Sequence, residues 1–189
     1  TTFALHRAAR AVPCEDYVVD RPVDSRGQYQ LDLPGGFPLA VKRLKFRAAQ
    51  PPRPLTWHTY LELFVLLSGE CRVQMGRQVV HLARGDVLVM DHLKLHAVLD
   101  FPGREAEAIV IRFLPDIVLG LASSSSDHLL MLPFYCQTEG QPHVVRGRER
   151  AAAIVHQALA CLFECYAAQD ETLYWQSGSR AFFLAALHH

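Results

Sequence analysis

Between residues 56 and 113 the chain is cut into short apolar runs by glycine corners, and this punctuation limits the fold more than anything else in the sequence. Ser68-Gly69, Gly76-Arg77, Gly85-Asp86 and Pro102-Gly103 mark the corners. Glycine supplies backbone angles that other residues avoid, and proline withholds a backbone donor, so both end regular structure. The runs between them are too short for typical helices, and apolar and polar residues alternate along them. Cys71, Val73 and Met75 alternate with Arg72 and Gln74, and Val79 to Leu82 returns as the second arm of a hairpin. Val87 to Met90, Lys94 to Leu99 and Glu107 to Phe113 repeat the pattern. A period of two is that of a strand, and short strands at intervals of roughly ten residues predict an antiparallel sandwich or barrel.

The segments leading into this region are also extended. Strands are expected at Tyr17 to Val19, at Tyr29 to Leu33, and from Phe37 to Phe46 with Leu39, Val41, Leu44 and Phe46 turned inward. Gln50-Pro51-Pro52-Arg53-Pro54 is a loop, since proline cannot sit in a central strand. Trp57 to Leu67 reads as a strand that places His58, Tyr60, Glu62, Phe64 and Leu66 on one face. A small barrel would aim His58, Glu62 and His96 into its interior.

The pattern changes after Leu114-Pro115. A short helix is expected from Asp116 to Ala122. A helical turn capped by Ser126 or Asp127 should run to Leu132, and a strand is expected at His143 to Val145. Arg148 to Tyr166 carries Val155, Leu159, Leu162 and Tyr166 at helical spacing, and Asp170 is the expected cap of a second helix ending near Leu187. Together they predict a helical hairpin. The expected architecture is mainly β with α: residues 1–114 form an arm and a β-barrel, and residues 115–189 a helical appendage.

Charge and cysteine usage narrow the function. There are 19 basic and 19 acidic residues, so no overall basic field is available to hold nucleic acid. Lys42, Arg43, Lys45, Arg47 and Arg53 alternate with Leu44 and Phe46, as on the solvent face of a strand. The five cysteines are odd in number and lack a Cys-x-x-Cys pair, which argues against a disulfide framework or zinc knuckle and suits a reducing cytoplasm. Cys161 and Cys165 are expected to share a helix face as small apolar residues. No apolar run is long enough to cross a membrane, and no signal peptide opens the chain. The chain begins without Met, so an upstream piece is expected to have been trimmed, and His188-His189 is either native or a tag remnant. His81 and His92 read as surface or satisfied histidines. No nucleophile elbow, phosphate loop or dinucleotide fingerprint is present.

Two stretches carry a resemblance. Thr56-Trp57-His58-Thr59-Tyr60-Leu61-Glu62-Leu63, continuing to Ser68-Gly69, resembles the first cupin motif. Gly85-Asp86-Val87-Leu88-Val89-Met90 through Leu95-His96 resembles the second. Phe113-Leu114-Pro115, Leu132-Pro133-Phe134 and the two closing helices, with Glu164 late in the first, extend the likeness to the N-terminal sensor domain of AraC-type transcription regulators. The resemblance implies a double-stranded β-helix barrel followed by a helical hairpin. It implies a non-catalytic domain that binds a small-molecule effector through His58, Tyr60, Glu62, His96 and Trp57. It also implies a homodimer, and DNA contact only through a C-terminal helix-turn-helix domain outside this chain. Read from the residues themselves, the surplus apolar Phe182, Phe183 and Leu187 are a candidate dimer face.

Metal-holding cupins usually place His-x-His before the glutamate. Here Thr56 stands at the first position, and Asp91 and Leu93 replace the proline and glycine of the second motif. His58, Glu62 and His96 remain as a set that would suit Zn, Ni or Fe. Alternatively, Glu62 is hydrogen-bonded to a histidine without metal, or meets a polar ligand. The rival from another class is a metal-dependent cupin enzyme, a dioxygenase or sugar isomerase, using that 2-His-1-Glu set. A stand-alone ligand-binding cupin is the third.

Overall fold

The computed structural model describes residues 2–17, 23–29, 33, 36–47, 54–90, 93–103, 105–120, 126–136 and 143–189. The strand expectations at residues 18–19 and 30–32, and that for His92, lie outside the described residues. Helix α1 (Thr2–Ala9) opens the chain and is followed by β1 (Cys14–Asp16) and β2 (Leu39–Arg47). Then come β3 (Leu61–Ser68), β4 (Glu70–Met75), β5 (Gln78–Ala83), β6 (Val87–Met90), β7 (His96–Asp100) and β8 (Glu105–Phe113). Two 3-10 turns, Pro115–Ile117 and Asp127–Met131, lead to α2 (Leu132–Tyr135) and β9 (Val144–Val145). Helices α3 (Arg150–Ala167) and α4 (Trp175–Leu187) close the described chain.

The strands form a six-stranded sheet in the order β1-β2-β8-β3-β6-β9, facing a three-stranded sheet in the order β5-β4-β7. The two sheets share one core between them, as in a barrel, and are followed by the C-terminal helical region of α3 and α4. Side chains at alternate positions of the larger sheet enter two separate cores. Leu44, Phe46, Phe64, Leu66, Leu88, Ala108 and Val110 fill the lumen with Val73, Met75 and Leu82 of the smaller sheet. Leu39, Val41, Leu61, Leu63, Val65, Val87, Ile109 and Ile111 pack outward against Leu5 of α1, Val155, Leu159 and Phe163 of α3, and Phe183 of α4. Central strands of this sheet are therefore apolar on both sides, as strands covered by helices are. Leu39 and Val41 do not share a direction with Leu44 and Phe46, because positions of opposite parity point to opposite faces.

Several boundaries differ from expectation. The strand expected from Trp57 begins at Leu61, because Trp57 pairs with Gln28, Thr56 pairs with His96, and the chain bends at Thr59 and Tyr60. The helix expected to start at Asp170 starts at Trp175, and exposed Asp170 lies in a turn where Glu171 and Thr172 donate to the carbonyl of Ala168. Of the helix expected from Asp116 to Ala122, the described residues show the 3-10 turn Pro115–Ile117, and residues 121–122 lie outside them. The Asp127 turn receives no side-chain cap from Ser126. Phe183 is buried with its ring 4.7 Å from that of Phe113, so of the expected apolar face only Phe182 is exposed. The basic stripe of β2 is paired with acids of both neighbouring strands: Lys42 with Glu15, Arg43 with Glu107, Lys45 with Glu105 and Arg47 with Asp16. No helix among the described residues is long and apolar enough to cross a membrane.

Gly85 and Asp86, at the corner before β6, join the barrel to the appendage. Asp86 is buried and accepts from the Ala83 amide at 3.1 Å, the Gly147 amide at 2.8 Å and Arg146 Nη1 at 2.7 Å. Buried His156 of α3 donates through Nε2 to the Gly85 carbonyl at 2.7 Å. Gly147 lies so close that an added Cβ would stand 2.7 Å from the Gly85 carbonyl carbon, so only glycine fits there without movement.

Candidate functional site

Glu62 is the second residue of β3 and points into the lumen, where a carboxylate needs a partner. Its cross-strand neighbour on β8 is Arg112, and Arg112 Nε donates to Glu62 Oε2 at 2.6 Å. Both side chains are buried. The bend before β3 brings His58 to the same oxygen, with Nε2 3.2 Å from Oε2. The bridge between Thr56 and His96 sets the two histidines together, ring centroids 4.8 Å apart and nearly perpendicular. Nδ1 of His58 lies 3.0 Å from the Tyr60 carbonyl, and Nδ1 of His96 lies 2.8 Å from the Lys94 carbonyl.

These contacts decide what each group offers. With Nδ1 of His96 donating to a carbonyl, Nε2 is left as an acceptor toward the lumen. His58 has oxygen acceptors at both nitrogens, and its ring N–H donates to one of them. Burial alone would raise the Glu62 pKa. The adjacent Arg112 charge and the His58 hydrogen bond outweigh it and hold the carboxyl well below its ordinary range. Burial pushes the His96 imidazole below its usual value, a shift that the Glu62 charge partly offsets.

His58, Glu62, His96 and Arg112 line a cavity of about 60 Å³, with Tyr17, Tyr29, Thr56 and an apolar wall that includes Phe46, Phe64, Met90 and Val110. The structure thus brings three of the five expected contact residues to one place. Trp57 and Tyr60 stand aside: neither is among the residues lining the cavity, and Trp57 Nε1 donates to the Arg26 carbonyl at 3.0 Å. His81 is exposed. Arg112 and Tyr29 are lining residues that sequence reasoning missed. The available signal for Arg112 was a lone cation inside the apolar run Ile109-Val110-Ile111-Arg112-Phe113.

The ligating atoms of His58, Glu62 and His96 all lie within 4.8 Å of one another, so the set could hold a metal ion. Both imidazoles have Nδ1 at a backbone carbonyl, the arrangement that orients Nε2 toward a metal. Glu62 Oε2 is already held by Arg112, which leaves Oε1 for an ion.

No protein-family model matches the chain, and no curated protein matches it. Among solved structures, the chain is similar to a mutant of the oxalate decarboxylase OxdC of Bacillus subtilis, at 20% identity over 43% of this chain and 22% of that one, TM-score 0.37. It is similar to the DMSP lyase DddQ of Ruegeria pomeroyi, at 22% identity over 47% of this chain and 42% of that one, TM-score 0.38. A third is the putative glyoxylate-induced protein of Pseudomonas aeruginosa, at 13% identity over 60% of this chain and 38% of that one, TM-score 0.37. The chain spans less than half the length of each. These likenesses concern the fold.

They correct one expectation. The chain was expected to be non-catalytic, yet two of the proteins it is similar to are an oxalate decarboxylase and a DMSP lyase, so that expectation is not kept. The chain's own His58, Glu62 and His96 group is of a kind that could hold metal.

Proposed function

We propose that the lumen binds a small molecule and that the helical appendage reads the bound state, as in the effector-sensing half of an AraC-type transcription regulator. The observation that carries this is the double role of β3. Glu62, Phe64 and Leu66 face the lumen, while Leu61, Leu63 and Val65 are packed with the helices. A ligand and the appendage thus touch opposite sides of one backbone, and the Asp86 and His156 bonds tie the next strand to α3. Ligand binding shifts the helices only if it favours one of their arrangements over another. In this proposal the complete protein is cytoplasmic, pairs through its appendage, where Ile154 and Phe182 are exposed, and contacts DNA through a following helix-turn-helix domain. The test is a thermal-shift screen of metabolites followed by hydrogen exchange. Binding in the lumen should change exchange in α3 and α4, and unchanged helices would refute a sensory role.

The geometry of His58, Glu62 and His96 favours a second function, a metal-dependent cupin enzyme with Zn, Ni or Fe. A bound ion would supply a Lewis acid with open positions. The two histidines would hold it, Glu62 would add one oxygen, and Arg112 would keep that carboxylate ionised. Metal analysis of the purified protein tests this: a metal-free protein after growth in supplemented medium would rule it out.

A further inference from the structure

We propose that the lumen is a carboxylate site, in which Arg112 holds the acid group of a short organic acid. The assignment presupposes that the lumen binds a ligand and names the chemistry of that ligand.

Arg112 is buried, with 8% of its surface exposed, and it lines the cavity. Its Nε–H is given to Glu62, and the Tyr29 ring lies 5.6 Å from the guanidinium carbon, which fixes the plane of the group. Both Nη groups are without a protein partner among the described residues. A guanidinium edge with two donor groups matches a carboxylate, and charge-assisted, paired bonds are the strongest available to it. Glu62 already neutralises one side of the group, so a ligand with a single negative charge suits the site better than a doubly charged phosphate. In the same cavity His96 Nε2 is an acceptor, which suits a hydroxyl on the same ligand. The walls of Phe46, Phe64, Met90 and Val110 suit a short aliphatic body, and a cavity of about 60 Å³ limits it to a few heavy atoms. Sugars, by contrast, would leave the charged edge facing neutral groups.

Lactate and its amide, lactamide, nearly equal in size, test the charge requirement on the full chain by calorimetry and thermal shift. Lactate is expected to bind and raise the melting temperature, with lactamide weaker by ~tenfold or more. Glu62→Gln should bind lactate more tightly, because Arg112 loses its internal anion. The neutral pair Glu62→Gln with Arg112→Gln, whose amides can still bond to each other, should fold and show no lactate response. Equal binding of lactate and lactamide, no binding of lactate by the unmodified chain, or retained lactate binding in the double variant would each overturn the assignment. Hydrogen exchange separates this outcome from the sensory role. Lactate bound through Arg112 with α3 and α4 unchanged would sink sensing and leave the carboxylate site standing.

Discussion

Replacing Asp86 by Ala removes the acceptor on which three donors converge, and the cost can be worked from their surroundings. Two of the donors are backbone amides, of Ala83 and Gly147, and the third is Arg146 Nη1. Hydrogen bonds to a charged acceptor contribute about 1.5–3 kcal/mol each, and neighbouring bonds do not add fully. The Arg146 side chain is 37% exposed and regains water, so its share is small. The two amides set the cost, for a total of roughly 3–4 kcal/mol. In a chain of this length that lowers the melting temperature by roughly 6–16 °C. Asp86→Asn, which keeps one acceptor but turns an amide donor toward a backbone N–H, should cost about half as much. Arg146→Met should cost about 1 kcal/mol or less, because both amides stay satisfied. Urea denaturation followed by the fluorescence of Trp57 and Trp175 reads all three. An Asp86→Ala variant within 1 kcal/mol of the parent, or Arg146→Met costing as much as Asp86→Ala, would refute this account of the corner.

Other outcomes follow from the same structure. Gly147→Ala and Gly69→Ala should each destabilise by about 1–3 kcal/mol, since the new Cβ atoms would stand 2.7 Å from the Gly85 carbonyl carbon and 2.8 Å from the Glu105 carbonyl oxygen. Gly69 also has φ +77°, which strains any side chain. Burial lowers the His156 pKa from 6.5, so the folded state binds fewer protons than the unfolded one. Stability should therefore fall as pH drops below 6.5, and His156→Gln, which keeps a donor for Gly85, should flatten that slope in denaturation curves. Glu62 acts in a lower window: its depressed pKa contributes stability above 4.5 that is lost in stronger acid, and Glu62→Gln should remove that dependence while lowering stability at neutral pH.

The barrel was legible because glycine corners and period-two alternation are local. Gly69, Gly76 and Gly85 all adopt positive φ, the conformation for which glycine is suited. Which face each strand buries was not local. The continuous apolar run from Leu61 to Leu67, broken only by Glu62, signals burial on both sides, but the covering helices lie far along the chain. Helix α1 was missed, although Leu5, Ala8 and Ala9 have helical spacing, because eight residues are marginal as a helix until they dock, here on α3. His58, Glu62 and His96 stood out by type. Arg112 did not, because its meaning comes from a neighbour fifty residues away, and only the register of β3 and β8 puts the two side by side.

The borders of the large sheet have a consequence for handling the protein. Its outermost members are β1, three residues long, and β9, two residues long, while the nine-residue strands β2 and β8 lie inside. Short rims give a foreign chain little backbone to pair with, which guards against stacking of copies. Trimming the chain before residue 17 would uncover Arg43 to Lys45, the stretch of β2 that β1 pairs with, leaving Lys42, Lys45 and their neighbours as its remaining deterrent. Such a shortened chain should clump at high concentration, and added salt should worsen the clumping by screening those lysines.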